Sequence, residues 1–262
     1  MTMTSRPAVP AGKVAWITGA GTGIGRALAL RMARDGWRVA ITARSPDTLA
    51  EAAAEAETLP GALIPCPGDV TDLADMRATV DSIERALGPI AIAVFNAGTH
   101  RPVSALSLDA ADFRALIEVN FLGAVNCLDA VLPAMTARRA GRIALVGSVA
   151  GYAGLPTAAA YGASKAALIN MAEALRPELA TAGITLQSVN PGFVKTPLTD
   201  RNDFPMPFLM APEDAAEAFW RGLRSDRFEI VFPRRMALLL KLLRLLPYPL
   251  FFRLTRRLLP GR

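Results

Sequence analysis

The sequence predicts an α/β protein with a doubly wound, parallel, seven-stranded sheet, helices on both faces of the sheet, and a basic amphipathic helical tail. Two observations lead to this fold class. Short apolar runs alternate with longer stretches of helical periodicity along most of the chain. The apolar runs are continuous, which is typical of strands that are buried on both faces and joined by right-handed crossovers.

Strands and helices can be assigned in order from the apolar runs and from the glycines and prolines between them. The predicted strands are Val14–Thr18, Arg38–Thr42, Ala62–Cys66, Ile90–Phe95, Arg142–Val146, Ile184–Val189 and Phe228–Phe232. The predicted helices are Ile24–Asp35, Pro46–Leu59, Leu73–Leu87, Asp109–Arg138 with a break near Pro133, Ala158–Ala180 and Pro212–Leu223. In such a sheet, binding sites form at the carboxyl ends of the strands.

Composition indicates one large domain with an addition at each end. The chain has 262 residues, of which 52% are hydrophobic, and these suffice for one large core. We expect an N-terminal arm at 1–12, a catalytic domain at 13–233 and a C-terminal extension at 234–262. Residues 1–12 do not resemble a signal peptide and the two cysteines indicate no disulfide framework, so we expect a cytoplasmic protein. A single histidine and no cysteine cluster argue against a metal site.

A glycine-rich turn, Thr18-Gly-Ala-Gly-Thr-Gly-Ile-Gly25, joins the first strand to the first helix. Its glycines permit a tight turn and a close approach of a pyrophosphate to backbone N–H groups at the helix N-terminus. The turn therefore predicts dinucleotide binding by a Rossmann-like sheet. The candidate cofactor-binding residues in it are Thr18, Gly19, Gly21, Thr22, Gly23, Ile24 and Gly25.

The end of the second strand indicates which dinucleotide is preferred. An acidic residue that binds the ribose 2′-hydroxyl of NAD is expected about 20 residues after the glycines. Ala43 stands there instead, and Arg44 follows it. Because arginine suits a 2′-phosphate, the sequence favours NADP over NAD, with NAD as the alternative. Arg44 could also be an ordinary solvated loop residue.

Tyr161 and Lys165 are four residues apart in a predicted helix, so their side chains share one face. A positive charge roughly 4 Å from a phenol, at an effective dielectric constant of about 20, contributes about 4 kcal/mol, or about three pKa units. The pair is therefore interpreted as an acid–base catalyst with a lowered tyrosine pKa. The alternative is a half-buried tyrosine with a solvated lysine one turn away.

Taken together, these motifs resemble those of the classical short-chain dehydrogenases/reductases over nearly all of residues 13–232. Several independent motifs occur in the order of that family, which is more specific than any one of them. They are Thr18–Gly25, Asp69-Val70, Asn96-Ala97-Gly98, Asn120, Ser148, Tyr161 with Lys165, and Pro191-Gly192 with Thr196.

The resemblance implies roles for these residues. Tyr161 would be the general acid in carbonyl reduction, and Ser148 would hydrogen-bond the substrate oxygen. Lys165 would hold the nicotinamide ribose, and Asn120 would hold a water that links Lys165 to solvent. The further implied cofactor contacts are Asp69 and Val70 with adenine, Asn96, Ala97 and Gly98 with ribose, and Val194 and Thr196, after Pro191 and Gly192, with the carboxamide.

A loop-like segment at 197–212 corresponds to the part of the family that covers the substrate. Its apolar side chains suggest a hydrophobic substrate, unless they only pack this segment onto the body. The residues expected to form the apolar wall are Phe204, Met206, Phe208 and Met210 together with Tyr152, Leu155, Pro156 and Phe193. His100 is expected either to face the cleft or to be incidental.

The tail at 234–262 carries the excess positive charge of the chain. It holds eight Lys and Arg residues and no acidic residue, whereas residues 1–233 carry 21 basic and 23 acidic residues. Its amphipathic pattern, interrupted by Pro247 and Pro249, indicates a helix in a membrane interface, since no apolar run reaches the length of a spanning helix. The alternative is an arm that packs on its own body or on a partner subunit.

These observations predict an NAD(P)-dependent oxidoreductase, with NADPH-dependent reduction of a hydrophobic carbonyl compound as the favoured reaction. One alternative is a catalytically silent dinucleotide-binding sensor. Another is a nucleic-acid binder, which the Leu and Phe residues of the tail disfavour. The resemblance also implies a homodimer, or a tetramer, formed through the helices that bear Asn120 and Tyr161. We expect a cytoplasmic location with peripheral contact to a membrane surface.

Overall fold

The computed structural model describes residues 13–201 and 204–259. The expected N-terminal arm at 1–12 and the end of the tail at 260–262 lie outside the described residues. Seven parallel strands form one sheet with the order β3-β2-β1-β4-β5-β6-β7. The strands are β1 Val14–Thr18, β2 Arg38–Thr42, β3 Ala62–Pro65, β4 Ile92–Phe95, β5 Gly141–Val146, β6 Ile184–Pro191 and β7 Glu229–Phe232.

Helices cover both faces of the sheet, as the apolar strands predict. They are α1 Gly23–Arg34, α2 Pro46–Glu55, α3 Leu73–Leu87, α4 Ala110–Ile117, α5 Gly123–Arg138, α6 Ala159–Thr181, α7 Pro212–Leu223, α8 Arg234–Arg244 and α9 Tyr248–Thr255. One core contains residues of α1, α2 and α7, and the other contains residues of α3, α5 and α6. The helical stretch 110–138 has the length and composition of a membrane span, but Leu128 and Val131 pack it into the second core.

The centre of the sheet is the pair β1 and β4, where the strand order changes direction. All five residues of β1 are buried, because the strand has a helical layer on each face. Trp16 packs edge-on against Phe95 at 5.5 Å between ring centroids, and its indole N–H donates to the hydroxyl of Thr42 at 2.9 Å. The parallel register brings the carboxyl ends of β1, β4, β5 and β6 to one edge, where binding sites form in such sheets.

The long helix that follows β4 is interrupted at a position that differs from the prediction. A π-helical turn, Glu118–Leu122, separates α4 from α5, and α5 then continues through Pro133. The expected break near Pro133 is therefore wrong. The carbonyl that loses its helical donor belongs to Asp129, an exposed residue, so water can replace the missing N–H. The π-turn places Asn120 inside the protein, with no exposed surface.

Residues 234–259, called here the C-terminal arm, fold back onto the body of the protein. On α8, Met236, Ala237 and Leu240 are buried, and they pack in one apolar cluster with Val149 and Phe193. The expectation that the tail packs on its own body is therefore confirmed for this face. The opposite face exposes large apolar side chains, namely Leu238, Leu239, Leu242 and Leu245, followed by Tyr248, Leu250, Phe252 and Leu254 of α9.

Candidate active site

Tyr161 and Lys165 lie on the first two turns of α6 and share one face, as predicted. Lys165 is only 4% exposed. Its Nζ lies 5.7 Å from the centroid of the Tyr161 ring and donates a hydrogen bond of 2.8 Å to the carbonyl of Val146. The amine is thus held at the end of β5, beside the tyrosine ring.

The environment of this pair raises the tyrosine pKa instead of lowering it. Burial raises the pKa of Tyr161, and a side-chain hydrogen bond with Ser148 lowers it by less. Burial also lowers the pKa of Lys165 to about 8. The expected fall in the Tyr161 pKa is therefore wrong for the protein alone, because desolvation penalises the charged form of the buried phenol and exceeds the opposing effect of the Ser148 hydrogen bond.

Ser148 follows β5 and begins a short 3-10 helix, Val149–Gly151. Its Oγ accepts a hydrogen bond of 3.1 Å from the N–H of Ala150 and donates one of 3.5 Å to the carbonyl of Pro191. Ser148 is therefore a helix cap, and the cap fixes its hydroxyl beside that of Tyr161.

Asn120 forms a buried polar network behind the pair. Its Oδ1 accepts from the N–H of Thr99 at 2.7 Å, and its Nδ2 donates to the carbonyl of Thr99 and to the hydroxyl of Ser164, both at 3.0 Å. A Cβ placed on Gly98 would lie 3.2 Å from Asn120 Oδ1 and 3.3 Å from Lys165 Nζ. The absence of a side chain at Gly98 therefore leaves a space that both the Asn120 amide oxygen and the Lys165 amine border.

The glycine-rich turn is braced by the end of β4. Gly19 and Gly23 have positive φ angles of 65° and 57°, which glycine adopts without strain. The Asn96 side chain donates to the carbonyls of Thr18 and Gly19 at 3.2 and 3.0 Å, and the Thr18 hydroxyl accepts from the N–H groups of Asn96 and Ala97, both at 3.2 Å. Asn96 and Ala97 therefore hold the turn in place. The predicted ribose contact of this motif stays a prediction.

The N-terminus of α1 presents N–H groups suited to an anion. The side chain of Thr22, at the cap position, makes no capping hydrogen bond, and the first turn contains no acidic residue. A Cβ on Gly21 would lie 2.5 Å from Thr48 Oγ1 and 3.4 Å from the Cβ of Ala43. The turn therefore packs beside the end of β2, where Arg44 is exposed.

The other predicted cofactor residues occupy two places. Asp69 Oδ1 accepts from the N–H and the hydroxyl of Thr71 at 3.0 and 2.9 Å, so its side chain stabilises a turn. Val70 is buried beside Gly123. The adenine contact expected of Asp69 and Val70 stays a prediction. A cavity of about 110 Å³ brings together most of the remaining group. Its lining includes Ile24, Asn96, Gly98, Lys165, Pro191, Gly192, Val194 and Thr196.

A second, larger cavity of about 900 Å³ adjoins the first. Ser148 and Tyr161 line both cavities. The larger cavity is mainly apolar, and predicted wall residues that line it are Leu155, Pro156, Phe193, Phe204 and Met206. The pair of hydroxyl groups therefore stands between a glycine-rich site and an apolar chamber.

Three predicted wall residues lie elsewhere. The Tyr152 hydroxyl donates to Glu229 at 2.7 Å beneath α8. Phe208 is 43% exposed, and Met210 pairs its backbone with Phe193 and packs against the core. The expectation that these three side chains line the cavity is wrong, because backbone pairing and the α8 contact orient this region.

The cavity is also lined by His100, for which the sequence left two alternatives, and by residues of the arm that the sequence did not identify as lining. His100 packs edge-on against Tyr161 at 4.8 Å between ring centroids, so it does face the cleft. The arm supplies Met236, Leu240, Arg257, Leu258 and Leu259. The apolar spacing of Met236 and Leu240 in the amphipathic pattern was a signal for packing, but it did not indicate the partner surface.

Residues 13–204 match the family described as short chain dehydrogenase. The chain belongs to this family. A Thermotoga maritima protein named 3-oxoacyl-[acyl-carrier-protein] reductase FabG is 38% identical over 217 residues, covering 83% of this chain and 85% of that protein. An uncharacterized oxidoreductase of Myxococcus xanthus is 38% identical over 246 residues, covering 94% and 97%.

Solved structures of short chain dehydrogenases share the fold and carry nicotinamide cofactors. One from Burkholderia phymatum, in complex with NAD, has a TM-score of 0.81 at 25% identity and covers 88% of this chain and 92% of its own. One from Sphingobium yanoikuyae, in complex with NADPH, has a TM-score of 0.76 at 29% identity and covers 84% and 87%.

This short chain dehydrogenase is therefore an NAD(P)-dependent oxidoreductase. Its own geometry fits a dinucleotide. The glycine-rich turn leaves no room for a side chain at Gly19, where a Cβ would lie 2.6 Å from the Cα of Ala97. The uncapped N–H groups at the start of α1 can receive a pyrophosphate.

Proposed function

We propose that this short chain dehydrogenase is an NADPH-dependent reductase that converts the carbonyl group of a hydrophobic, lipid-like substrate into a secondary alcohol. The observation that carries the proposal is that Ser148 and Tyr161 line both the glycine-rich site and the apolar cavity. A carbonyl group in the apolar cavity can reach both hydroxyls while it faces the cofactor site.

In the proposed reaction, the bound cofactor supplies the hydride that the carbonyl carbon gains. Ser148 donates a hydrogen bond to the carbonyl oxygen and orients it. Tyr161 donates its phenolic proton to that oxygen, which completes the alcohol and leaves a phenolate. Because burial raises the pKa of Tyr161, the phenol is protonated at neutral pH, which is the form that a general acid requires.

The phenolate must recover a proton before the next turnover, and Lys165 and Asn120 are suited to supply it. Burial lowers the pKa of Lys165 to about 8, so its amine can release a proton near neutral pH. The Asn120 amide is fixed by Thr99 and Ser164, and Gly98 leaves space between its oxygen and Lys165 Nζ. A water in that space would connect Lys165 to solvent.

Two features support the choice of cofactor and substrate. Ala43 offers no carboxylate to the ribose 2′-hydroxyl, while the exposed Arg44 can pair with a 2′-phosphate. The cavity of about 900 Å³ has the size and apolar character of sites for extended hydrophobic ligands. The Thermotoga maritima relative is named for the reduction of 3-oxoacyl groups, which supports an acyl-like carbonyl substrate.

The test is a screen of hydrophobic ketones and 3-oxoacyl esters followed by nicotinamide absorbance with NADPH and with NADH. We expect turnover with NADPH, its loss in Tyr161→Phe with cofactor binding retained, and its retention in the matched control Tyr152→Phe. Cofactor binding without turnover of any ketone or alcohol in the wild-type protein would instead support the catalytically silent sensor.

We also propose that the exposed face of the arm contacts an anionic membrane surface and that the protein is a cytoplasmic homodimer. Leu238, Leu242 and Leu245 are 59%, 52% and 79% exposed, and the arm carries no acidic residue. Apolar burial and attraction of basic residues to anionic lipid, about 1 kcal/mol per residue, would add together. The dimer would form through the helical stretch 110–138, which bears Asn120, and α6, which bears Tyr161, as the family resemblance implies, and light scattering would measure its mass.

Vesicle co-sedimentation tests the membrane contact. We expect the double variant Leu238→Asp with Leu242→Asp to stay in solution with anionic vesicles that bind the wild-type protein. The control is Leu106→Asp with Leu108→Asp, because these leucines are 99% and 59% exposed outside the arm. Equal binding by the wild-type protein and the arm variant would contradict the proposal.

A further inference from the structure

The arm gives the apolar cavity a charged residue. Among the described residues that line the cavity, Arg257 is the only one with a permanent charge, and none is a carboxylate. Arg257 follows α9 in a short 3-10 helix, Arg256–Leu258. Its neighbours Leu258 and Leu259 line the same cavity, so this wall combines apolar side chains with one cation.

Among the described residues, nothing balances the positive charge of Arg257. Within residues 13–201 and 204–259, no carboxylate forms an ion pair with Arg257. In contrast, Lys241 on the same arm pairs with Glu229. The arm contains no Asp or Glu that could neutralise Arg257 from nearby in the sequence. An anion that entered the cavity would therefore meet a guanidinium for which no described carboxylate competes.

Arg257 lines the large cavity but not the glycine-rich site. Ser148 and Tyr161 lie where the large cavity adjoins the glycine-rich site. Arg257 lies on the wall formed by the arm, which is attached to the body through the apolar cluster of Met236, Ala237 and Leu240. A substrate that reaches both places needs a carbonyl at one position, an apolar chain between, and a negative charge at another.

We infer that Arg257 is a specificity residue that selects substrates with a carboxylate or phosphate group separated from the carbonyl by an apolar chain. The inference rests on the proposed reductase function and narrows its substrate class to anionic amphiphiles. Arg257 acts in binding and not in proton transfer, so its contribution belongs in KM and leaves kcat unchanged.

The test compares two substrates with one carbon skeleton, an oxo fatty acid whose carbonyl lies near the end remote from the carboxylate and the neutral methyl ester of the same acid. Both are assayed without vesicles and below their aggregation concentration. We expect the wild-type protein to prefer the acid by about two- to fivefold in kcat/KM, through KM. Added salt should weaken this preference, because it screens an exposed charge.

Arg257→Gln should remove the preference by raising KM for the acid while the kinetics of the ester stay unchanged. Arg256→Gln is the matched control, since Arg256 adjoins Arg257 but does not line the cavity, and it should keep the preference. Turnover of the ester shows that each variant is folded. A wild-type protein that turns over the ester as well as the acid, or an Arg257→Gln variant that keeps the preference, would overturn the inference.

Three further outcomes separate this inference from the proposals on which it rests. Absence of turnover with these two substrates and with every ketone and alcohol of the screen would reject the reductase function itself, whereas turnover of neutral ketones alone would overturn only the inference. If Arg257→Gln lowered vesicle co-sedimentation but left the acid preference intact, Arg257 would recognise a lipid headgroup and not the substrate, which would also overturn the inference.

Discussion

His100 lies edge-on against the ring of Tyr161, with 4.8 Å between the ring centroids. The two residues come from separate parts of the fold, the loop after β4 and the first turn of α6, and both line the apolar cavity. His100 therefore restricts the orientation of the proposed proton donor from the side that the substrate enters.

We predict that His100→Ala lowers kcat with a hydrophobic ketone by a factor of about 2 to 10, because edge-to-face aromatic pairs contribute about 0.5–1.5 kcal/mol. His100→Phe keeps an aromatic edge and should restore most of the rate. Steady-state kinetics with saturating NADPH would measure both variants. A phenylalanine variant as slow as the alanine variant would assign the effect to the imidazole nitrogens and not to the ring contact.

Lys165 predicts a specific dependence of stability on pH. Burial lowers its pKa from the ordinary 10.5 to about 8. Between these values the unfolded chain binds more protons than the folded protein, so the free energy of unfolding should rise with pH. Relative to Lys165→Met, we expect the wild-type protein to gain up to about 3 kcal/mol from pH 8 to 10.5.

Urea unfolding of both proteins at several pH values would measure this difference. The comparison with Lys165→Met removes contributions from other groups, such as the buried Tyr161, whose pKa is raised. A difference that stays constant over this range would show that Lys165 is not desolvated to this extent.

The glycine-rich turn predicts a variant that a second change can rescue. Gly21→Ala would place a Cβ 2.5 Å from Thr48 Oγ1, so we expect weaker cofactor binding. Thr48→Ala removes that atom and should restore part of the affinity. Gly19→Ala would place its Cβ 2.6 Å from backbone at Ala97, with a φ angle of 65°, and no change at Thr48 should rescue it.

Fluorescence titration with NADPH would measure the affinities of the wild-type protein, Gly21→Ala, Gly19→Ala and each of these variants combined with Thr48→Ala. Equal affinities of Gly21→Ala with and without Thr48→Ala would show that the loss does not arise from the Thr48 contact.

The end of β2 predicts the direction of cofactor preference. Arg44→Gln should raise KM for NADPH about tenfold and leave KM for NADH nearly unchanged, since only NADPH carries the 2′-phosphate. Ala43→Asp should disfavour NADPH by charge repulsion and favour NADH by binding the ribose hydroxyls. Parallel assays with the two cofactors would measure the ratio, and an unchanged ratio in Arg44→Gln would leave Arg44 as a solvated loop residue.

Much of the fold could be predicted from the sequence because local and global signals agree. The strand β1 and the helix α3 have the predicted bounds. A short continuous apolar run favours a strand buried on both faces, and an amphipathic pattern favours a helix with one buried face. The parallel, doubly wound arrangement of the sheet follows from the same alternation of strands and helices. The carboxyl ends of β1, β4 and β5 then bring Thr18, Asn96 and Ser148 together, as expected.

The remaining features depend on burial and on contacts between residues far apart in the chain, which local sequence patterns do not indicate. The π-turn at Asn120 was missed because Pro133 is the stronger local signal for a break. The direction of the Tyr161 pKa was missed because helical spacing gives proximity to Lys165 but not burial, and burial has the larger effect here. Tyr152 was misplaced because its partner, Glu229, is on the last strand of the sheet.

The apolar cavity is completed by the last part of the chain, whereas the proposed proton-transfer residues all lie between Asn120 and Lys165. One wall of the cavity is therefore encoded apart from the proton-transfer residues, while Leu155 and Pro156, which also line the cavity, lie among them in the sequence. Under the proposed function, a mutation in the arm would change which compound is accepted and leave the proton-transfer residues intact. In evolutionary terms, the sequence of the arm would be free to change with the substrate, because the arm contains none of the proposed proton-transfer residues.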